Sequence, residues 1–241
     1  MAPEATEPVE AVLLDAFGTL VTMEPPGPLL RTELAARGME VSDDVAAAAF
    51  GAEIRYYLAH HLEGRDAASL DDLRDRCARV ILDRLDAPGL DLAAAREAML
   101  AALRFSAFPE VAPALRTLRA RGVRLVVASN WDSSLPEVLE RAGLSALVDA
   151  VVSSAGVGVT KPAPELFEAA LARVGVPAGR ALHVGNSIRG DVEGALAAGL
   201  RAVLVVRDDP VGAAVRGIQG SARGTTAVAS IGDLGQLPPL I

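Results

Sequence analysis

From residue 109 onward the chain alternates between short apolar runs and helix-forming stretches, and this alternation limits the folds open to it. "VRLVVAS", "LVDAVVSS", "RALHVG" and "RAVLVV" are continuous apolar runs of strand length, the pattern of strands buried on both faces. "PEVAPALRTLRARG" precedes them, and "SLPEVLERAGL", "APELFEAALARVG" and "GDVEGALAAG" lie between them. These predict helices, with Gly122 and Gly175 at the ends of two of them. "TTAVAS" predicts a last short strand. Strands and helices in such order build a parallel sheet with helices on both faces. A further apolar run, "VEAVLLDAFGTL", stands near the start. It is cut off from the others by "LLRTELAARG", "DDVAAAAFGAEIRYYLAHHL", "SLDDLRDRCARVILDRL" and "DLAAAREAMLAAL", which carry helical spacing and offer Ser42, Ser69 and Asp91 as N-caps. No strand is expected in that block. The sequence therefore predicts an α/β protein: a Rossmann-like parallel-sheet core from residues 1–20 and 109–241, split by an inserted all-helical cap, residues 21–108.

Composition narrows the partners. Half of the chain is apolar (51%) and only 3% is aromatic, so the core is aliphatic. The formal net charge of −8 argues against nucleic acid or an anionic membrane as partner. A small anionic substrate needs only a local positive pocket and stays open. Cys77 is the one cysteine, which excludes an intrachain disulfide and a cysteine-based metal site; a buried helix position is expected for it. "MAPEATEPVE" is acidic and proline-rich, lacks the features of a signal peptide and predicts a frayed start. No stretch approaches the roughly 18 apolar residues of a membrane helix, so a cytoplasmic location is expected. No surface stripe declares a dimer interface, leaving monomer and homodimer both open.

In open parallel sheets, ligands bind beyond the carboxyl ends of the strands. The predicted strand ends deliver Asp15, Gly18 and Thr19; Ser129, Asn130 and Asp132; Lys161; and Gly185, Asn186, Ser187 and Asp191. Lys161 is the only lysine among 23 basic residues, and Asn130 and Asn186 are the only asparagines. Arginine replaces lysine wherever only charge matters, but not where a compact ammonium sits among carboxylates. An aspartate facing such a lysine can serve as a covalent nucleophile. The Ser129 hydroxyl and the N–H groups after Asp15 can hold the oxygens of an anion. Thr19 can orient Asp15, and Asp191 can bind a metal or hold Lys161 and Ser187. His60 and His61 are expected at the surface, with one able to face a cleft. For His183, inside a strand, packing is expected. Arg189 lies beside the site, and Tyr56, Tyr57 and Trp131 are read either as core or as a substrate slot.

"LLDAFGTL", "VVASNWD", "GVTKPAPELF" and "HVGNSIRGDVEGA", in this order, resemble the four motifs of the haloacid dehalogenase-like (HAD) superfamily, and the helical insertion resembles its type-1 cap. "SNWDSSL" looks most like the Reg-2-like branch. The resemblance implies that Asp15 is the nucleophile and that Lys161 acts with it. Phe17, Gly18, Thr19, Ser129, Asn130 and Lys161 would surround the substrate anion. Asp15, Phe17, Asn186 and Asp191 occupy the positions of a magnesium site. Two departures stand out. Phe17 replaces the aspartate that serves phosphatases as general acid and base, a loss of about 10²- to 10⁴-fold for poor leaving groups. Asn186 replaces a magnesium-ligating aspartate, so Mg2+ is expected to bind weakly or only with an anionic substrate. The leading reading is a hydrolase acting on a small phosphorylated or otherwise activated anionic metabolite. The alternatives are a 2-haloacid dehalogenase, with Arg55 as the halide-receiving cap arginine, and a catalytically silent binding protein.

Overall fold

The structure is a computed structural model that describes residues 8–85, 89–218 and 228–241. The expected frayed start falls on residues 1–7, outside the described residues, as do residues 225–227 of "TTAVAS".

The first strand, β1 (Ala11–Leu14), is buried along its whole length. A short strand β2 (Val21–Met23) follows, then four helices: α1 (Pro26–Ala35), α2 (Asp43–His60), α3 (Ala67–Leu85) and α4 (Leu92–Ala102). Strand β3 (Phe105–Ala107) returns the chain to the core. There α5 (Val111–Ala120), β4 (Arg124–Ser129), α6 (Leu135–Arg141), β5 (Ala150–Ser153), α7 (Ser154–Val157) and α8 (Pro164–Ala172) follow. The remainder is β6 (Ala181–Gly185), a π-helical turn (Ile188–Glu193), α9 (Gly194–Ala197), β7 (Arg201–Val205), α10 (Pro210–Ile218) and β8 (Ala229–Ile231).

Six strands form one parallel sheet in the order β5-β4-β1-β6-β7-β8, with Leu14 between Val127 and Val184. Strand residues alternate between two apolar clusters: Val12, Leu14, Leu125 and Val127 pack on one face, Ala11, Leu13, Val126 and Ala128 on the other. This is why the runs are continuously apolar. The helices α1–α4 close a third cluster around Leu30, Phe50, Leu73, Cys77, Ile81 and Met99. Cys77 is buried there as expected. Among the described residues no helix is long and apolar enough to cross a membrane.

Three local expectations need correction. The block read as free of strands carries one at each end: β2 and β3 pair antiparallel, Val21 with Ala107 and Met23 with Phe105. The chain leaves and re-enters the core at one place, so the two passing segments lie side by side and satisfy each other's backbone groups. Ser69 is not the N-cap of α3; its N–H donates to Asp66 Oδ1 at 2.9 Å, and its own hydroxyl accepts from the Asp66 N–H. Asp66 therefore takes the cap position, with Ser69 three residues on completing a reciprocal box. "GDVEGALAAG" begins inside a π-helical turn in which the N–H of Val192 reaches the carbonyl of Ser187.

Strand order also positions the site. The connection after β1 leads towards β4, whereas that after β6 leads the opposite way towards β7. The crevice opens where such connections diverge, between the ends of β1 and β6.

Candidate active site

Asp15 follows β1 at the centre of the sheet and is 7% exposed. Its Oδ1 accepts from Ser129 Oγ at 2.8 Å and from Lys161 Nζ at 2.6 Å. Among the described residues no hydrogen bond falls on Oδ2. Lys161 Nζ also lies 2.5 Å from Asp191 Oδ1, so one buried ammonium bridges two buried carboxylates. Burial raises the Asp15 carboxyl above its usual range; Lys161 works against the rise and Asp191 adds to it. Burial favours neutral Lys161, but Asp15 and Asp191 more than offset this and hold the ammonium firmly charged. For Asp191 burial acts upward, yet Lys161 and the bond from His183 hold its carboxyl well below the carboxylate range.

Both rare asparagines hold backbone. Asn130 accepts from the Lys161 N–H at 2.7 Å and donates to the Lys161 carbonyl at 3.3 Å, fixing the residue that carries the ammonium. Asn186 Nδ2 donates to the Phe17 carbonyl at 3.0 Å and ties the loop after β1 to the end of β6. Two glycines allow these approaches. Gly18 has φ +75°, and a Cβ there would lie 1.9 Å from Asn186 Nδ2. A Cβ on Gly185 would lie 2.1 Å from Asp191 Cγ.

Gly18 and Thr19, expected around the substrate anion, are not among the residues that line the cleft. Their N–H groups close the turn onto the carbonyls of Val21 and Ala16, and the Thr19 hydroxyl is fully buried without a hydrogen-bond partner among the described residues. The tight turn takes up these two donors. The N–H groups of Ala16 and Phe17 have no backbone acceptor among the described residues. Asp132 accepts from the Ser134 N–H at 2.7 Å and shapes its own loop.

A cleft of about 640 Å³ runs from Asp15, Ser129 and Lys161 to Arg55, Arg189 and Arg216. These arginines put local positive charge around it despite the net charge of −8. His61 also lines the cleft, in line with the expectation for one of the two histidines, and at 7% exposed it is not a surface residue. The helix ends at His60, and the following single turn swings His61 inward, where its Nδ1 meets the Leu58 carbonyl at 3.0 Å. Tyr57 and Trp131 line a neighbouring cavity, whereas Tyr56 stacks on His60 at 4.2 Å.

The family model for haloacid dehalogenase-like hydrolases matches residues 9–199. The chain belongs to the haloacid dehalogenase-like hydrolase family. The mouse haloacid dehalogenase-like hydrolase domain-containing protein 3 is 40% identical over 102 residues, 42% of this chain and 41% of the mouse protein. Phosphoserine phosphatase of Thermus thermophilus is 40% identical over 105 residues, 43% of this chain and 42% of that enzyme. The chain thus spans less than half the length of these curated relatives. A solved 2-haloacid dehalogenase from Pseudomonas syringae superposes with a TM-score of 0.65 at 27% identity, covering 96% of this chain and 97% of that one.

Phosphatases of this hydrolase family imply magnesium, and the donor set here does not fit it. Asn186 brings no negative charge and spends its N–H on the Phe17 carbonyl, and the Phe17 side chain has no donor atom. Asp191 is engaged on both oxygens, by Lys161 and His183 on Oδ1 and by the Ser187 N–H on Oδ2. Among the described residues no three His, Cys, Asp or Glu side chains are grouped to hold a metal ion.

Sequence reasoning missed two groups. His183 does more than pack: its Nε2 lies 2.9 Å from Asp191 Oδ1, and burial holds the ring neutral. A polar residue in an otherwise apolar strand is the signal that marks it. Glu53, 4% exposed, follows Ala46, Ala49 and Phe50 on the buried face of α2, and a carboxyl at that helical spacing is likewise legible.

Proposed function

We propose that this hydrolase uses Asp15 as a covalent nucleophile on a small, activated anionic metabolite whose leaving group departs without a proton, an acyl phosphate first. The observation that carries this reading is the Asp15 carboxylate held on Oδ1 by Lys161 and Ser129, with Phe17 where an acid would stand. Lys161, the Ser129 hydroxyl and the N–H groups of Ala16 and Phe17 hold the phosphoryl oxygens and the charge that builds on them. Asp15 Oδ2 forms a bond to phosphorus, the bond from phosphorus to the acyl oxygen breaks, and the carboxylate leaves with the electron pair. Water then attacks the phosphorus of the aspartyl phosphate, regenerating the Asp15 carboxylate and releasing dihydrogen phosphate, so both protons of the water leave with the product. The phosphatase among the relatives supports phosphorylated substrates.

A second reading, displacement of halide from a short 2-halo acid, is favoured by Arg55 on the cleft wall and by the dehalogenase neighbour. Here the Asp15 oxygen bonds to carbon and halide leaves with the electron pair. The test is phosphate release from acetyl phosphate and chloride release from 2-chloropropionate, comparing wild type with Asp15→Asn. Phosphate release that disappears in the variant upholds the first reading. Chloride release alone upholds the second, and neither product above the variant sinks both.

A further inference from the structure

A second cavity of about 300 Å³ adjoins the cleft and shares Phe17, Leu58, Asn130 and Val215 with it. The volume is at the lower end of small-molecule pockets. Its walls are apolar and come from both halves of the molecule: Leu73, Met99 and Leu103 from the helical block, Phe105 and Trp131 from the core side. Phe17 meets Phe105 edge-on at 6.3 Å, and Phe105 meets Trp131 at 5.2 Å, an aromatic row leading from beside the nucleophile into the chamber. The residue that lacks the acid's proton thus has a lining role.

Two buried carboxyls are out of keeping with these walls, Glu53 and Asp132, and Asp132 is taken up by the Ser134 N–H of its own loop. Glu53 lines the chamber, and no basic side chain pairs with it among the described residues. Its neighbour is the Cys77 thiol, a weak donor. Half-buried Arg74, the exposed Glu137 and Arg141, and the hydroxyl-bearing Tyr57 and Ser134 also line the chamber.

We propose that this chamber is the leaving-group subsite, and that it takes an apolar chain or ring ending in a hydrogen-bond donor, an ammonium group, which Glu53 receives. The proposal rests on the reading of Asp15 and Lys161 as the reaction centre and adds the substrate class to it. The anion sits on Lys161, Phe17 and its aromatic neighbours flank the first atoms of the leaving group, and the far end reaches the carboxyl. A buried carboxyl without a cation is costly, and a ligand cation removes the cost. Burial pushes the Glu53 carboxyl up to about 7, which marks how poorly the empty chamber supports its charge.

Alkylphosphonates test this on the intact chain, because they carry the chain where the leaving group hangs and cannot be turned over. Each buried methylene is worth about fourfold in affinity. Calorimetry is expected to show at least a tenfold gain from methylphosphonate to hexylphosphonate and a further gain for 6-aminohexylphosphonate. Glu53→Gln should erase the ammonium's gain and keep the alkyl gain, and Leu73→Trp, which fills the chamber, should shrink the alkyl gain. Affinity independent of chain length overturns the proposal, as does tighter binding of 5-carboxypentylphosphonate than of the ammonium analogue, which would hand the far end to Arg74. Phosphate release from acetyl phosphate is measured alongside: length-dependent binding without turnover leaves the subsite standing and sinks the hydrolase reading instead.

Discussion

Lys161 is the one position where this arginine-rich chain keeps an ammonium, and the distances give the reason. Nζ lies 2.6 Å from one carboxylate and 2.5 Å from another, in a pocket that leaves the side chain 4% exposed. A planar guanidinium is too wide for that gap. Lys161→Arg, which keeps the charge, is therefore expected to lose at least about 10²-fold in kcat/KM on acetyl phosphate, some 2.7 kcal/mol of transition-state stabilisation. Activity within threefold of wild type would show that charge alone matters there. Asn186 leads to a second expectation. Its N–H occupies the Phe17 carbonyl and its amide lacks the negative charge of a carboxylate, so turnover should be the same in EDTA as in millimolar magnesium. Asn186→Asp removes that donor and adds a carboxylate, and turnover of the variant should become magnesium-stimulated. Wild-type activity abolished by EDTA would refute this account of the amide.

At the scale of elements, the turn carrying Asp191 is the least ordinary piece of the site. Asp191 and Val192 both send their N–H groups to the Ser187 carbonyl, at 2.9 and 3.2 Å, and the second of these bonds is the wider π spacing. A π turn holds one residue more than an α turn, and such turns recur at functional sites. Deleting the exposed Arg189 should close it as an α turn and rotate the residues beyond it by about 100°. Either Asp191 then leaves Lys161, or Val192 and Ala195 leave the core. Breaking a buried pair costs about 3–5 kcal/mol, so the deletion should lower the melting temperature and abolish turnover together. Full activity would mean that the extra residue is a passive insertion. This turn also shows where legibility ends. The central strands of the sheet could be read because both faces are buried, which keeps each run apolar but for an occasional polar residue such as His183. The π turn could not, because "GDVEGALAAG" has the composition of any helix start and hydrogen-bond spacing leaves no mark in residue type. The β2–β3 ribbon was hidden for another reason: three residues are too few for a period. Asp15, Ser129 and Lys161 were legible as a group because each ends or follows a strand. The roles of Asn130 and Asn186 were not, since a side chain that clamps a distant backbone depends on the loops meeting.

Across the whole molecule, the seam between the helical block and the sheet domain ties stability to the same chamber that is proposed to select substrate. The Ser133 N–H donates to the Gly64 carbonyl at 2.8 Å and the Asp132 N–H to the Tyr57 hydroxyl at 3.4 Å, closing the seam beside Glu53. Glu53 keeps its proton in the folded chain to about pH 7, whereas an exposed glutamate releases it near 4.5. Between these values the folded state binds the extra proton, so rising pH favours unfolding. The stability from this group is fully present below about pH 4.5 and is lost as pH climbs through 7. The interval corresponds to ~3 kcal/mol, or roughly 6–12 °C in melting temperature for a chain of this size. Glu53→Gln removes the titration and leaves the shape, so the variant's melting temperature should pull ahead of wild type between pH 5 and 7.5 and hold a constant lead above pH 8. Other titrating groups are common to both proteins and cancel in the difference. A lead that does not change with pH would mean that water reaches the carboxyl and that the chamber walls are not closed over it. Saturating 6-aminohexylphosphonate supplies the missing cation and should narrow the lead at pH 8, while hexylphosphonate, which raises both melting temperatures alike, should leave it in place.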